Sequence, residues 1–160
     1  MWREQWERVQ RTFEWVKTFT QESTPGAPNE TTDDRKDRVA SFFLHCYHLK
    51  DWLKNDPASK AQARDVETEL NKNEVMQIVA DLANGTKHGD LTVGRYGPKT
   101  GDPTTALTRQ DIVVTTGAAG AGTLQKMYVE SNTDEWDVYN LAKYAVAWWS
   151  EYLTQRNLLP

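Results

Sequence analysis

The sequence predicts a mainly α protein: a four- to five-helix bundle with a β-hairpin inserted before the last helix. Three observations carry this expectation. Apolar residues recur at helical spacing in several separate stretches. A β-branched run, Ile112 to Thr116, is followed by a glycine-alanine link and a second extended stretch. The connections are short to moderate, which favours antiparallel neighbours.

The first helix is predicted over residues 2–20. Trp2, Trp6, Val9, Phe13 and Val16 are spaced by 4, 3, 4 and 3, a single helical stripe. Trp15 and Phe19 lie off that stripe and are expected to widen the buried face. Arg3, Glu4, Glu7, Arg8 and Arg11 fill the other faces. Residues 21–32 hold two prolines and a glycine and read as a loop.

The second helix starts at Thr32, Asp33 or Asp34, any of which can cap it. Val39, Phe42, Phe43, Cys46, Leu49 and Leu53 form its apolar face. His45, His48 and Trp52 form a stripe beside it. Asn55-Asp56-Pro57 ends it, because the residue before proline avoids helical dihedrals. Ser59 is the expected cap of a third helical region. There Val66 and Leu70 share a face, whereas Val75, Ile78, Val79, Leu82 and Thr86 share a rotated one. The phase change at residues 71–73 predicts a break, with the stronger helix over residues 73–88 and Gly89 as its C-terminal cap.

Residues 91–103 are rich in Gly, Pro and Thr and read as loop. The runs 112–116 and 124–130 form the hairpin. Their link, 117–122, is longer than a tight turn and lacks the Lys and Ser/Thr of a phosphate loop. Ser131, Asn132, Thr133, Asp134 and Glu135 look like the start of the last helix. Its face is Trp136, Tyr139, Ala142, Val146, Trp149 and Leu153. So broad an apolar surface predicts a central helix, or one covered by the hairpin or a second subunit. Arg156 is expected to complement its C-terminal dipole.

A chain of 160 residues is a single domain, 1–160, and large enough to bury a core without disulfides. Its net charge of −4 argues against a broad cationic footprint for nucleic acid, but not against a local basic pocket. The single cysteine, Cys46, fits a reducing compartment. Within an apolar face it reads as a buried hydrophobe rather than a nucleophile. With no apolar leader and no run of membrane-spanning length, the expectation is a cytoplasmic protein with no membrane contact. The mixed charges of residues 33–38 read as a solvated helix start.

The stretch 81–88 closes a helical pattern and holds one of only three histidines, His88. The other two are His45 and His48. Ala83, Asn84, Lys87 and His88 resemble the motif of the HEPN superfamily of helical-bundle proteins. Members carry an Arg, often a polar residue, a short spacer and a His. Asn84 matches the polar position and His88 the histidine, while Ala83 stands at the Arg position, so the motif is degenerate. The resemblance implies a homodimer with two motifs facing a cleft, and a place in prokaryotic defence, toxin–antitoxin or RNA-processing systems. In active members that cleft cleaves RNA without metal.

Such cleavage needs a proton donor or acceptor and a fixed positive charge for the phosphorane-like transition state. His88 can supply the first. Asn84 can orient the imidazole. Lys87 can offer charge as a point donor without a guanidinium fork, and Arg95 can fold back from the following loop. Two readings follow. One is a non-catalytic module binding RNA, a nucleotide or a partner protein; the other is a metal-independent ribonuclease using His88, Asn84 and Lys87. His45, His48 and Arg95 are candidate ligand-binding residues. His45 and His48 could pair as metal ligands, but packing is the preferred reading, and neither metal nor cofactor is expected.

Overall fold

A computed structural model describes residues 1–21, 31–88, 106–117, 120–131 and 134–160, with the side chains of 19, 21, 32, 85–88, 106–125, 130, 131 and 134 outside the description. Five helices and three strands follow in the order α1 (Trp2–Gln21), α2 (Thr32–Asn55), α3 (Val66–Lys72), α4 (Glu74–His88), β1 (Ala106–Gly117), β2 (Gly120–Ser131), β3 (Asp134–Asp137) and α5 (Val138–Gln155). The helical bundle with its hairpin before the last helix is the predicted architecture.

The stripe on α1 is buried as its spacing requires: Trp2, Trp6, Val9 and Val16 are all in the core. Helix α1 runs antiparallel to α2, because the Trp2 amide meets the Asp56 carboxylate and Gln5 meets His45. It also runs antiparallel to α5. Arg3 reaches the Leu158 carbonyl, and Phe13 stacks on Tyr139 with centroids 5.9 Å apart. Phe42, Phe43, Cys46, Leu49 and Leu53 of α2 fill the space between these helices. Helix α4 packs on both α2 and α5. Burying a side chain such as Phe42 contributes roughly 1.5–3 kcal/mol.

Several local expectations change. Helix α2 is capped by Thr31, one residue before the candidates Thr32, Asp33 and Asp34. The Thr31 hydroxyl accepts from the Asp34 amide, and the Asp34 carboxylate accepts from the Thr31 amide, a complete capping box. Ser59 caps nothing. Its hydroxyl donates to the Leu53 carbonyl at 2.9 Å and ties the departing chain to the end of α2. Helix α3 starts later, at Val66, and the predicted break falls at Asn73. The Asn73 side chain accepts from the Met76 amide and so opens α4. The expected cap Gly89 lies outside the described residues.

The hairpin is longer than the two runs predicted. Strands β1 and β2 pair antiparallel from Ala106↔Glu130 to Gly117↔Gly120, leaving only 118–119 between them. The small residues 120–122 therefore belong to a strand, not to a long link. Asp134 and Glu135 do not begin the last helix. They lie in β3, which pairs with β2 from Tyr128↔Asp137 to Ser131↔Asp134. Helix α5 starts after Asp137, whose side chain accepts from the Asn140 amide. Strand β2 rests on α1 and α5 and inserts Met127 and Val129 into the core.

Helix α5 is central, in contact with α1, α2, α4, β2 and β3. Trp149 is fully buried within the chain, whereas Tyr144 on the same helix is 57% exposed. Trp15 is a correction to the expected buried face of α1. It is 45% exposed, with the Arg38 guanidinium 5.5 Å from its ring centroid.

Candidate functional site

The stretch 81–88 forms the last two turns of α4. Asp81, Leu82 and Ala83 are buried there, and Asn84 is half-buried. Ala83 is 1% exposed and belongs to the core cluster. The position where the resemblance expects Arg thus points into the protein. The side chains of Lys87 and His88 lie outside the described residues, as does all of Arg95.

His45 and His48 are one turn apart on α2, and His45 meets Gln5 of α1. The Gln5 amide is oriented by two partners: its nitrogen donates to the His45 carbonyl at 2.9 Å, and its oxygen accepts from Arg8 at 3.3 Å. The same nitrogen lies 3.3 Å from His45 Nδ1. A donor there requires Nδ1 to accept, so His45 is the neutral tautomer with its proton on Nε2. Its pKa is lowered from 6.5, first by burial and then by the positive field of Arg8, His48 and Arg11.

His48 has a different environment. Its Nδ1 lies 3.0 Å from the Asp51 carboxylate. Asp51 also accepts from Lys50 at 2.7 Å, and Lys50 reaches on to Glu67 at 3.4 Å. Burial works to raise the Asp51 pKa, but the hydrogen bonds from Lys50 and His48 prevail and lower it. These contacts form a polar seam joining α2 to α3.

Trp52 ends the same stripe. It is 37% exposed, and the Arg8 guanidinium sits 5.8 Å from its ring centroid. Beside it is a recess of about 370 Å³ lined by Met1, Asp51, Trp52, Asn55, Asp56 and Pro57. The partnership of Arg8 with Trp52, and of Arg38 with Trp15, escaped the sequence reading. Each partner stands on its own helix's polar face, and only the register of α1 against α2 brings them together.

Cys46 is fully buried, and burial pushes its thiol up to about 12. It packs as a small hydrophobe and has no thiolate at neutral pH. Among the described residues, no group of three or more His, Cys, Asp or Glu could hold a metal ion. No helix among them is long and apolar enough to cross a membrane.

At the far end of α5, Asp65 receives the Tyr152 hydroxyl at 2.8 Å and Nε and Nη2 of Arg156. Arg156 therefore works as a tie to the start of α3, beyond the dipole role expected of it.

No family model matches the chain, and neither the curated proteins nor the solved structures give a match.

Proposed function

We propose that the chain is a HEPN-like helical bundle that binds RNA or a nucleotide without cleaving it. The observation that carries this reading is the burial of Ala83 in the core. Metal-free phosphodiester cleavage needs fixed positive charge at the transition state, and a bidentate guanidinium is the usual means. Alanine supplies none, and its position faces the interior rather than a cleft. The neutral His45 beside Arg8 and Arg11 adds a surface suited to holding an anion rather than to breaking it. A role in prokaryotic defence or a toxin–antitoxin pair, with a partner protein or a second copy of the chain, follows from the resemblance alone.

The test is incubation of the purified chain with single-stranded RNA in EDTA, with binding and integrity read from the same sample. The expected result is a retarded complex from which full-length RNA is recovered. Cleavage that disappears in His88→Ala would establish the ribonuclease reading instead, with Asn84 and Lys87 as its next residues to change. Absence of both binding and cleavage would overturn the proposal.

A further inference from the structure

We propose that the face where α1 and α2 lie side by side binds single-stranded nucleic acid, with Trp15 and Trp52 as stacking platforms and Arg8, Arg11 and Arg38 as phosphate contacts. This rests on the reading of a nucleic-acid-binding bundle and adds the place and the manner of binding.

Two stripes make the face. On α1, Arg8, Arg11 and Trp15 follow at intervals of 3 and 4. On α2, Arg38, His45, His48 and Trp52 follow at intervals of 7, 3 and 4. Both sets of intervals keep side chains on one side of a helix. Because the helices are antiparallel, each tryptophan meets an arginine of the other helix. Arg38 covers Trp15 at 5.5 Å and Arg8 covers Trp52 at 5.8 Å. His45 and His48 lie between these two pairs.

The exposure of these indoles is selective. Trp2, Trp6 and Trp149 are buried, whereas Trp15 and Trp52 are 45% and 37% exposed. An indole left at the surface with a guanidinium 5.5–5.8 Å from its ring centre sets a cation beside an aromatic ring, and a base stacks there either by sharing the ring or by lying on the guanidinium plane. Holding the guanidinium over a ring also restricts it in advance, so less freedom is lost when phosphate arrives.

The local charge fits a polyanion although the chain carries −4 overall. The carboxylates near these arginines have other partners as well: Glu4 pairs with the N-terminal amine, Asp34 closes the Thr31 cap and Asp51 is held by His48 and Lys50, while Glu7 at 3.9 Å is the acid that phosphate must displace from Arg11. The guanidiniums of Arg8 and Arg11, which add to burial in lowering the His45 pKa, stand close to this face.

The spacing selects the class of ligand. Arg38 and Trp52 are 14 positions apart on one helix, which is about 21 Å at 1.5 Å per residue. One nucleotide cannot engage both ends, but a strand can, at the low end of the roughly 4–16 nucleotides that single-strand folds cover. A duplex hides the faces of its bases from both platforms. The recess of about 370 Å³ beside Trp52 gives a base turned off that platform somewhere to go.

Fluorescence anisotropy with labelled rU12, and in parallel dT12, tests this on the full chain in EDTA. Trp15→Leu and Trp52→Leu keep apolar bulk and remove the wide ring. Each should weaken binding by about 5- to 100-fold. Arg8→Ala and Arg38→Ala should each weaken it and flatten the salt dependence by about 0.7 in slope. Lys143→Ala, exposed on α5, should bind as wild type does. Circular dichroism and melting curves matching wild type establish that the variants fold. Binding of rU12 by wild type that all four variants retain unchanged would overturn this face and leave the functional reading standing. Equal affinity for a duplex or for polyglutamate would also overturn it, because neither can use the stacking platforms. Failure of wild type to bind either oligonucleotide would remove the functional reading, and this face with it.

Discussion

The Gln5 side-chain amide holds His45 twice, with its nitrogen 3.3 Å from Nδ1 and 2.9 Å from the carbonyl oxygen. Bonding at the ring requires a neutral imidazole, and the contact at the backbone keeps Gln5 in place. One α1 side chain therefore favours the neutral form that burial already imposes on an α2 histidine, and ties the two helices together at that level.

The His45 titration follows from this geometry. Its folded pKa lies below 6.5, lowered by burial and then by Arg8, His48 and Arg11. Between the folded value and 6.5 the unfolded chain binds more protons at this site. Stability from His45 should thus rise with pH through that window and level off above it. The imidazole proton signals in an NMR titration should give a midpoint below 6.5, and Gln5→Ala should move it upward. A midpoint at or above 6.5 in wild type would contradict the assignment.

Ala83→Arg separates a core position from a decayed catalytic one. With 1% of Ala83 exposed, a guanidinium there must enter the core or distort α4. The expected result is a loss of roughly 3 kcal/mol or more in urea unfolding, with no gain in RNA cleavage. Unchanged stability together with new ribonuclease activity would show that the position opens on a cleft.

How much could be read from sequence differs between the bundle and its binding face. Helix α1 was legible because Trp2, Trp6, Val9 and Val16 repeat at the helical period and all reach the core. The break at Asn73 was legible because Val66 and Leu70 fall out of phase with Ile78 and Val79. Strand β3 was not. Its four residues include three acids, which resemble a helix start, and only pairing with β2 makes them a strand. The stripe of His45, His48 and Trp52 was visible within α2. Its partners Gln5 and Arg8 were not, because contact across helices depends on a register that no local pattern encodes. Trp15 was misplaced for the same reason: covered by Arg38, an aromatic residue can remain at the surface.

Asp65 offers a check on the tie between α3 and α5. Its carboxylate accepts from Tyr152 and from two nitrogens of Arg156, and the hydrogen bonds from Arg156 lead in lowering its pKa from 3.8. The stabilisation is present above about pH 3.8 and is lost as pH falls through the folded value. The site is partly exposed, so Asp65→Asn should cost only about 1 kcal/mol at neutral pH. The difference from wild type in urea midpoints should shrink toward pH 3. A difference that persists unchanged in acid would assign the effect to something other than the charge.

The most direct measurement is the indole N–H region of a ¹⁵N–¹H correlation spectrum, recorded while rU12 is added to the labelled chain in EDTA. Seven tryptophans give the spectrum its probes, buried and exposed alike. The account predicts that the Trp15 and Trp52 signals move and saturate together, that those of the core residues Trp2 and Trp149 stay in place, and that the RNA remains intact. Movement absent from Trp15 and Trp52 while RNA binds, or RNA cut during the titration, would contradict it.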